Sequence, residues 1–328
     1  MIGAAHAATP RLAVPPAIDP HALAGIDPGA TIARLGGETM GTGWRVLVAV
    51  RPGAAVEPLH TAIQQRLDGL VAEMSHWLAT STLGRFNQAP AGSATVLPPD
   101  FAHVMAAALD IAARSGGAFD PALGRLTDCW GLGPRTVAQP PAADAIAAAQ
   151  AESGWQRLTF DPAARRLHQP GGVWLDLSGI AKGHAADVVA AVIAAAEHGH
   201  ALVEVGGECV GRGIRPDGDP WWVELEAPPG VALAPLRVAL HQLAVATSGD
   251  YVRGAHTLDP RTGRPIGHDT AAVSVLHASA MIADAWASAL TVIEPEAALA
   301  LATREQLAAR IVSRSGREWL SPALAAML

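Results

Sequence analysis

The sequence predicts a mixed α+β fold. Short β-branched runs of strand length recur along the chain, and longer stretches with apolar residues at helical spacing lie between them. Neither standard nucleotide cradle of doubly wound proteins is present, because no GxGxxG turn and no GxxxxGK[ST] loop occurs.

The elements follow in order. Gly43–Val50 (GWRVLVAV) reads as a strand. Pro58 opens a helix with Leu59, Ile63, Leu67, Leu70, Val71 and Met74 on one face. A second helix starts near Pro99, offers Phe101, Met105, Leu109 and Ile111 to the core, and stops at Ser115–Gly117. Strands near Arg157–Phe160, Arg165–His168 and Val173–Leu177 read as a meander, followed by an Ala/Val helix over Ala181–Ala196 and a strand at Ala201–Val205. Further strands are expected at Trp221–Glu226, Val245–Thr247, Ala271–Leu276 and Arg310–Ser313, with helices at Met281–Ile293 and Pro295–Ala309. Residues 1–30 are Ala- and Pro-rich and are expected to be poorly ordered, leaving residues 31–328 as the folded domain.

Half of the 328 residues are apolar but only 4% are aromatic, so the core must rest on Ala, Val, Leu and Ile. A net charge of −7 without a long basic run argues against nucleic acid as a partner. Cys129 and Cys209 lack metal-ligand spacing and read as buried thiols. No stretch is long and apolar enough to be a transmembrane segment. The opening MIGAAHAATP has no early Lys or Arg and no apolar h-region, so no export signal is visible as written; it is compatible with the remnant of a longer precursor.

Gly, Asp and Ser concentrate in a few dense blocks. In LDLSGIAKGHAAD (Leu175–Asp187) a strand carrying Asp176 enters a Gly-rich turn and then a helix. Such a turn presents backbone N–H groups beside a helix N-terminus, with Lys182 adding positive charge, which suits an anion; the same turn also serves as a tight connection with a solvated lysine. In ASAMIADAWASAL (Ala278–Leu290), Asp284 and Ser288 fall one helical turn apart on one face. A carboxylate, a hydroxyl and a nearby carbonyl suit a hard cation such as magnesium, whereas an Asp early in a helix also complements the dipole. In ATSGDYVRGAHTLDPRTGRP (Ala246–Pro265), His256 is either a base near neutral pH or a histidine satisfied at a strand end.

Together these blocks resemble the ApbE family, over roughly Gly36 to Ser313. The matching motifs are GETMGT (Gly37–Thr42), GGAFDP (Gly116–Pro121), GIAKG (Gly179–Gly183), SGDY (Ser248–Tyr251), LDPRTG (Leu258–Gly263) and ADAWASAL (Ala283–Leu290), in family order. The resemblance implies a relative of the tunnelling fold, with two α/β portions and FAD in the cleft between them. It implies a magnesium-dependent FAD:protein FMN transferase, which splits the FAD pyrophosphate, releases AMP and esterifies FMN to a Thr or Ser of an acceptor flavoprotein. Other outcomes on the same fold are FAD hydrolysis to FMN and AMP, or FAD binding and delivery without catalysis. The family's targets imply a periplasmic or otherwise extracytoplasmic setting.

Residue by residue, the resemblance implies magnesium at Asp284, Ser288 and the Ala181 carbonyl. Met40, Asp120, Asp176 and Lys182 match positions near the flavin nucleotide, with Phe119 and the Gly116–Gly117 pair shaping that wall. His256 is the expected base toward the acceptor hydroxyl and Asp259 its expected orienter. This chain has Ser288 where the family usually has Thr. It also reads LeuAlaThrSerThr (Leu78–Thr82) where an acidic, Pro-containing turn is usual.

Overall fold

The computed structural model describes residues 9–250 and 256–328, so Tyr251 of the SGDY motif lies outside the described residues. The first half of the chain forms β1 (Arg11–Ala13), β2 (Thr31–Thr39), β3 (Thr42–Val50), α1 (Glu57–Met74), α2 (Thr82–Gln88), β4 (Ala94–Val96), α3 (Pro99–Arg114), α4 (Gly124–Cys129), α5 (Ala143–Ala151), β5 (Thr159–Asp161) and β6 (Arg166–His168). The second half forms α6 (Ala181–Ala195), β7 (Ala201–Val205), β8 (Glu208–Arg212), β9 (Trp221–Leu225), β10 (Leu236–Leu240), β11 (Leu243–Gly249), β12 (Leu258–Asp259), β13 (Arg264–Pro265), β14 (Thr270–His277), α7 (Ala280–Thr291), α8 (Pro295–Arg304), β15 (Ala308–Ser313), β16 (Glu318–Leu320) and α9 (Pro322–Ala325).

The centre is an eight-stranded sheet in the order β16-β15-β14-β11-β8-β7-β3-β2. Every neighbouring pair in it is antiparallel. Alternate side chains leave a strand on opposite faces, and here both faces are covered. Val46, Val48, Val203, Val205, Val273 and Val275 join the helical core with α1, α3, α6 and α7. Leu47, Leu202, Val245 and Leu276 face the other way, against Trp221 and Leu225 of β9, Leu236 and Val238 of β10, and Leu324 of α9. This two-sided burial explains why β14 is apolar without strict alternation. A smaller portion, with the β4-β6-β5 sheet and α2, α4 and α5, lies between α1 and α6 in the chain. Among the described residues, no helix is long and apolar enough to cross a membrane.

The turn between β2 and β3 places Met40 at φ 48° and Gly41 at φ 71°. Two left-handed residues are what a tight hairpin turn requires. α7 is buried nearly all round, as an apolar Ala-rich helix should be. Its N-terminus is capped from α6, since Asp187 accepts the Ala280 N–H (2.9 Å), the Met281 N–H (3.0 Å) and the Ser279 hydroxyl (2.6 Å).

Three expectations change. Arg11–Ala13 is a strand, not part of a disordered segment: β1 pairs in parallel with β10, Ala13 is buried, and Arg11 donates to Glu318 at 2.6 and 2.7 Å. Val173–Leu177 is not the third strand of the meander; Ala94–Val96 takes that place. Its backbone is satisfied differently, with the Leu175 N–H donating to Asn87 Oδ1 (2.7 Å) and the Asp176 N–H to the Pro121 carbonyl (2.9 Å). The helix from Pro295 ends at Arg304, because Gln306 turns to φ 54° and Ala308 enters β15.

α6 and α7 meet at backbone contact. A Cβ on Gly183 would fall 2.2 Å from the Ala280 carbonyl oxygen and 2.8 Å from Asp284 Cβ. Gly183→Ala must therefore separate the helices, at a cost of about 2 kcal/mol or more. The expected outcome is a lower urea unfolding midpoint. Gly199→Ala, where a Cβ meets nothing within 4 Å, serves as the control and is expected not to lower it.

Candidate active site

A cavity of about 330 Å³ opens where the smaller portion meets the central sheet. Its wall brings together Phe119, Asp120, Asp176, Lys182, His256, Asp284 and Ser288 from distant parts of the sequence. The remaining expected residues stand behind it. Gly116 and Gly117 adopt φ 64° and 78° after α3 and aim the Phe119–Asp120 turn, which is tied back by the Phe119 N–H to Ser115 Oγ at 3.1 Å. Met40 lies in the β2–β3 turn beside a separate concavity. That turn approaches the site through Gly206, whose N–H donates to the Gly43 carbonyl at 3.1 Å.

The acidic centre is Asp284 on α7, fully buried behind the α6 N-terminus. Burial pushes its carboxyl above the usual range, against the pull of Lys182 and the Gly183 N–H. That N–H donates to Asp284 Oδ2 at 3.0 Å and is one of the helix-end donors with no partner inside its own helix. One turn further on, Ser288 Oγ lies 3.5 Å from the Gly179 carbonyl. A Cβ on Gly179 would come within 2.7 Å of that hydroxyl, so glycine is needed there. The carbonyl facing Ser288 is thus that of Gly179; Ala181 is the first residue of α6, where carbonyls point along the helix. Asp284, Ser288 and the Gly179 carbonyl offer hard oxygen donors at one place. The proton-favouring burial of Asp284 marks a position where positive charge is stabilising, so these residues fit a magnesium ion. Among the described residues, no group of three or more His, Cys, Asp or Glu side chains is arranged to hold a metal. A carboxylate aided by neutral oxygens does not depend on one.

Glu208 of β8 was not anticipated, although it sits in the glycine-rich stretch VEVGGECVGRG (Val203–Gly213). It is 2% exposed and ion-paired with Lys182, and its Oε2 has no hydrogen-bond partner among the described residues. Burial pushes its carboxyl up to about 7, with Lys182 opposing and Asp284 adding to the rise. Asp176 behaves differently. Burial alone would raise it, but His76, Ser178 and Thr127 together hold it below the usual range. Thr127 Oγ1 donates at 2.7 Å and Ser178 Oγ at 2.6 Å. Asp176 also borders a second cavity of about 460 Å³, walled in part by Trp77 and Trp174.

His256 turns Nδ1 toward Asp250 Oδ1 at 3.4 Å. The expected orienter, Asp259, is instead engaged by Arg261 through contacts of 2.8 and 2.9 Å. The carboxylate beside the histidine is therefore that of Asp250, which lies within the SGDY motif. Asp250 also accepts the Thr257 N–H (3.0 Å) and hydroxyl (2.5 Å). The family resemblance pointed to Asp259, while the end of β11 brings Asp250 against the 256–257 segment. Cys129 and Cys209 are both buried free thiols, and burial pushes the Cys209 thiol up to about 12.

The ApbE family profile matches residues 40–311. The chain belongs to the ApbE family. It is 33% identical over 311 residues to the FAD:protein FMN transferase of Klebsiella pneumoniae, covering 90% of this chain and 89% of that protein. It is likewise 33% identical over 307 residues to the FAD:protein FMN transferase of Escherichia coli K12, covering 88% of this chain and 87% of that protein. Among solved structures it superposes on the flavin transferase ApbE of Vibrio cholerae with a TM-score of 0.86 at 31% identity, covering 91% of this chain and all of that one. It superposes on the Pseudomonas stutzeri flavinyl transferase ApbE, in its apo form, with a TM-score of 0.84 at 36% identity, covering 91% of this chain and 97% of that one.

The Phe119–Asp120 turn of this ApbE member has a pH signature. Burial pushes Asp120 from the usual 3.8 up to about 6, while the Ala122 and Trp155 N–H groups pull it back. Between those two values the folded protein binds more protons than the unfolded chain. Stability from this group is therefore present at low pH and is lost as pH rises through about 6. Asp120→Asn is expected to make the fall in unfolding free energy between pH about 4 and about 6 shallower. Urea unfolding across that range measures it, and an unchanged slope would show that Asp120 does not carry the effect.

Proposed function

We propose that this protein transfers FMN from FAD to a Thr or Ser hydroxyl of an acceptor protein through a phosphoester bond, releasing AMP, with magnesium held by Asp284, Ser288 and the Gly179 carbonyl. The observation that carries the reading is the meeting, in one cavity, of a buried oxygen-donor site, the α6 N-terminus with Lys182, and His256. The family membership and the relatives' activity point the same way.

Magnesium, when bound, would neutralise charge on the pyrophosphate oxygens and the departing phosphate. The chain's own groups do the rest. Lys182 and the α6 N-terminus attract the pyrophosphate. The two cavities meet at Asp176, so a dinucleotide with a ring system at each end could thread past it, one end against Trp77 and Trp174. His256, oriented by Asp250 beside its Nδ1, is the group on the cavity wall that would take the proton of the acceptor hydroxyl. The freed oxygen forms a bond to the FMN phosphorus as the bridging P–O bond breaks, and AMP carries away the electron pair. Water in place of the hydroxyl gives FMN and AMP, so hydrolysis uses the same groups.

The test is incubation with FAD, magnesium and candidate acceptor flavoproteins, read by mass spectrometry and by AMP release. One FMN added to one Thr or Ser is the expected result; FAD bound intact without AMP release would establish a delivery protein instead. Asp284→Asn is expected to lower magnesium-dependent AMP release by at least about a hundredfold, since it removes the formal negative charge placed on the ion. Ser288→Thr is expected to retain activity, because it keeps the oxygen on a stiffer side chain. Normal turnover of Asp284→Asn in a low-magnesium titration would take the metal away from α7. His256→Ala is expected to lower kcat while leaving FAD affinity near that of the unaltered protein, because a base acts on the acceptor's proton in the transition state. An equal loss of both would make His256 a binding residue.

A further inference from the structure

Asp250 stands between two concavities. Its Oδ1 faces Thr257 and His256, on the side of the main cavity. Its carboxylate also borders a separate hollow formed with Pro228, Pro229, Val231, Ala271 and Arg314. The side chain is 4% exposed, and Oδ2 has no hydrogen-bond partner among the described residues. A buried carboxylate oxygen without a donor is costly unless positive charge lies nearby. That charge comes from Arg314, whose Nη2 is 3.8 Å from Oδ2.

Arg314 is not a loose surface side chain. Its backbone N–H donates to the Asp269 carbonyl at 2.8 Å and its Nη1 to the His268 carbonyl at 2.7 Å. These two contacts anchor it in the turn between β15 and β16 and direct the other guanidinium nitrogen inward. Planar, permanently charged and held on one side, a guanidinium suits this task better than a flexible ammonium.

We propose that Arg314 is a positioning residue for flavin transfer: it holds Asp250 in place from behind, and Asp250 in turn fixes the ring of His256. This rests on the reading of His256 as the base. Arg314 does not line the main cavity. Its removal takes away the cation that faces the buried Oδ2, so the carboxylate is no longer held from behind and the His256 ring loses its fixed partner.

A double-mutant cycle tests this on the full chain. Arg314→Met is expected to lower kcat for FMN transfer about tenfold and to leave KM for FAD within about twofold. Arg314→Lys is expected to recover most of that loss. In an Asp250→Asn background, Arg314→Met is expected to cost nothing further, since its target charge is gone. An equal loss in both backgrounds, or a loss confined to KM, overturns the proposal. A second arm does not depend on turnover: the imidazole ¹⁵N resonances of His256, recorded without FAD, should move the same way in Arg314→Met and in Asp250→Asn. If the unaltered protein releases no AMP, the functional reading fails and this arm alone decides. A His256 spectrum shifted by Asp250→Asn but untouched by Arg314→Met rejects the role of Arg314.

Discussion

The structure depends on one buried contact, the Gly183 N–H against the Asp284 carboxylate. A carboxylate buried as fully as Asp284 costs several kcal/mol unless its charge is met by donors or cations. The donor comes from the first turn of α6 and requires α6 and α7 to touch at the backbone, which a side chain at position 183 would forbid. The same two helices are locked a second time by Asp187, which reaches from α6 to cap α7. Site and core are thus one object. Both helices lie on the central sheet, and the depth of the core fixes where the carboxylate stands.

The charge pattern at that place is incomplete by itself. Asp284 and Glu208 are both buried, and Lys182 acts on both. Two carboxylates share one ammonium in a poorly solvated spot, and burial raises the proton affinity of both, with Asp284 adding to the rise at Glu208. A divalent cation answers it better than a proton, because it satisfies lone pairs on several oxygens at once. Asp176, across the cavity, is instead supplied with hydroxyl and amide donors and held ionised. The cavity therefore contrasts a carboxylate satisfied by the protein with carboxylates that still seek positive charge.

Much of this was legible in the sequence, and the exceptions have physical causes. Periodicity located α1, α3, α6 and α7 because each buries one face or all of itself. It missed β2, whose glycines at 36 and 37 dilute the strand signal, and it ran α8 into β15 because alanine runs carry no period of their own. β1 was unreadable because its order comes from pairing with β10 more than two hundred residues away. At the site, motif blocks named Phe119, Asp120, Asp176, Lys182, His256, Asp284 and Ser288 of the cavity wall, while Met40, Gly116, Gly117 and Ala181 stand outside it. Partnerships were harder to read. Asp250 rather than Asp259 lies beside His256, and Gly179 rather than Ala181 faces Ser288, because both depend on backbone direction within a turn. Glu208 was hidden because a strand-borne Glu next to a Cys carries no spacing signal.

The two halves of the proposed chemistry rest on different supports. The oxygen donors proposed for the cation stand on α7 and on the turn entering α6, against the packed core. The histidine stands in the connection that follows β11, outside regular structure. What keeps them in register is the end of α7 against the end of β11, where Thr291 Oγ1 lies 3.5 Å from the Ser248 carbonyl and bonds the Ala287 carbonyl at 2.7 Å. Splitting a pyrophosphate and delivering the phosphoryl group to a hydroxyl demand a charge site and a base held at a fixed separation. Trp77, at the wall of the second cavity, and Leu78 beside it in sequence are both exposed. That is also where this chain departs from the family's usual turn, so differences in the acceptor can arise there without disturbing the buried carboxylate on which the fold relies.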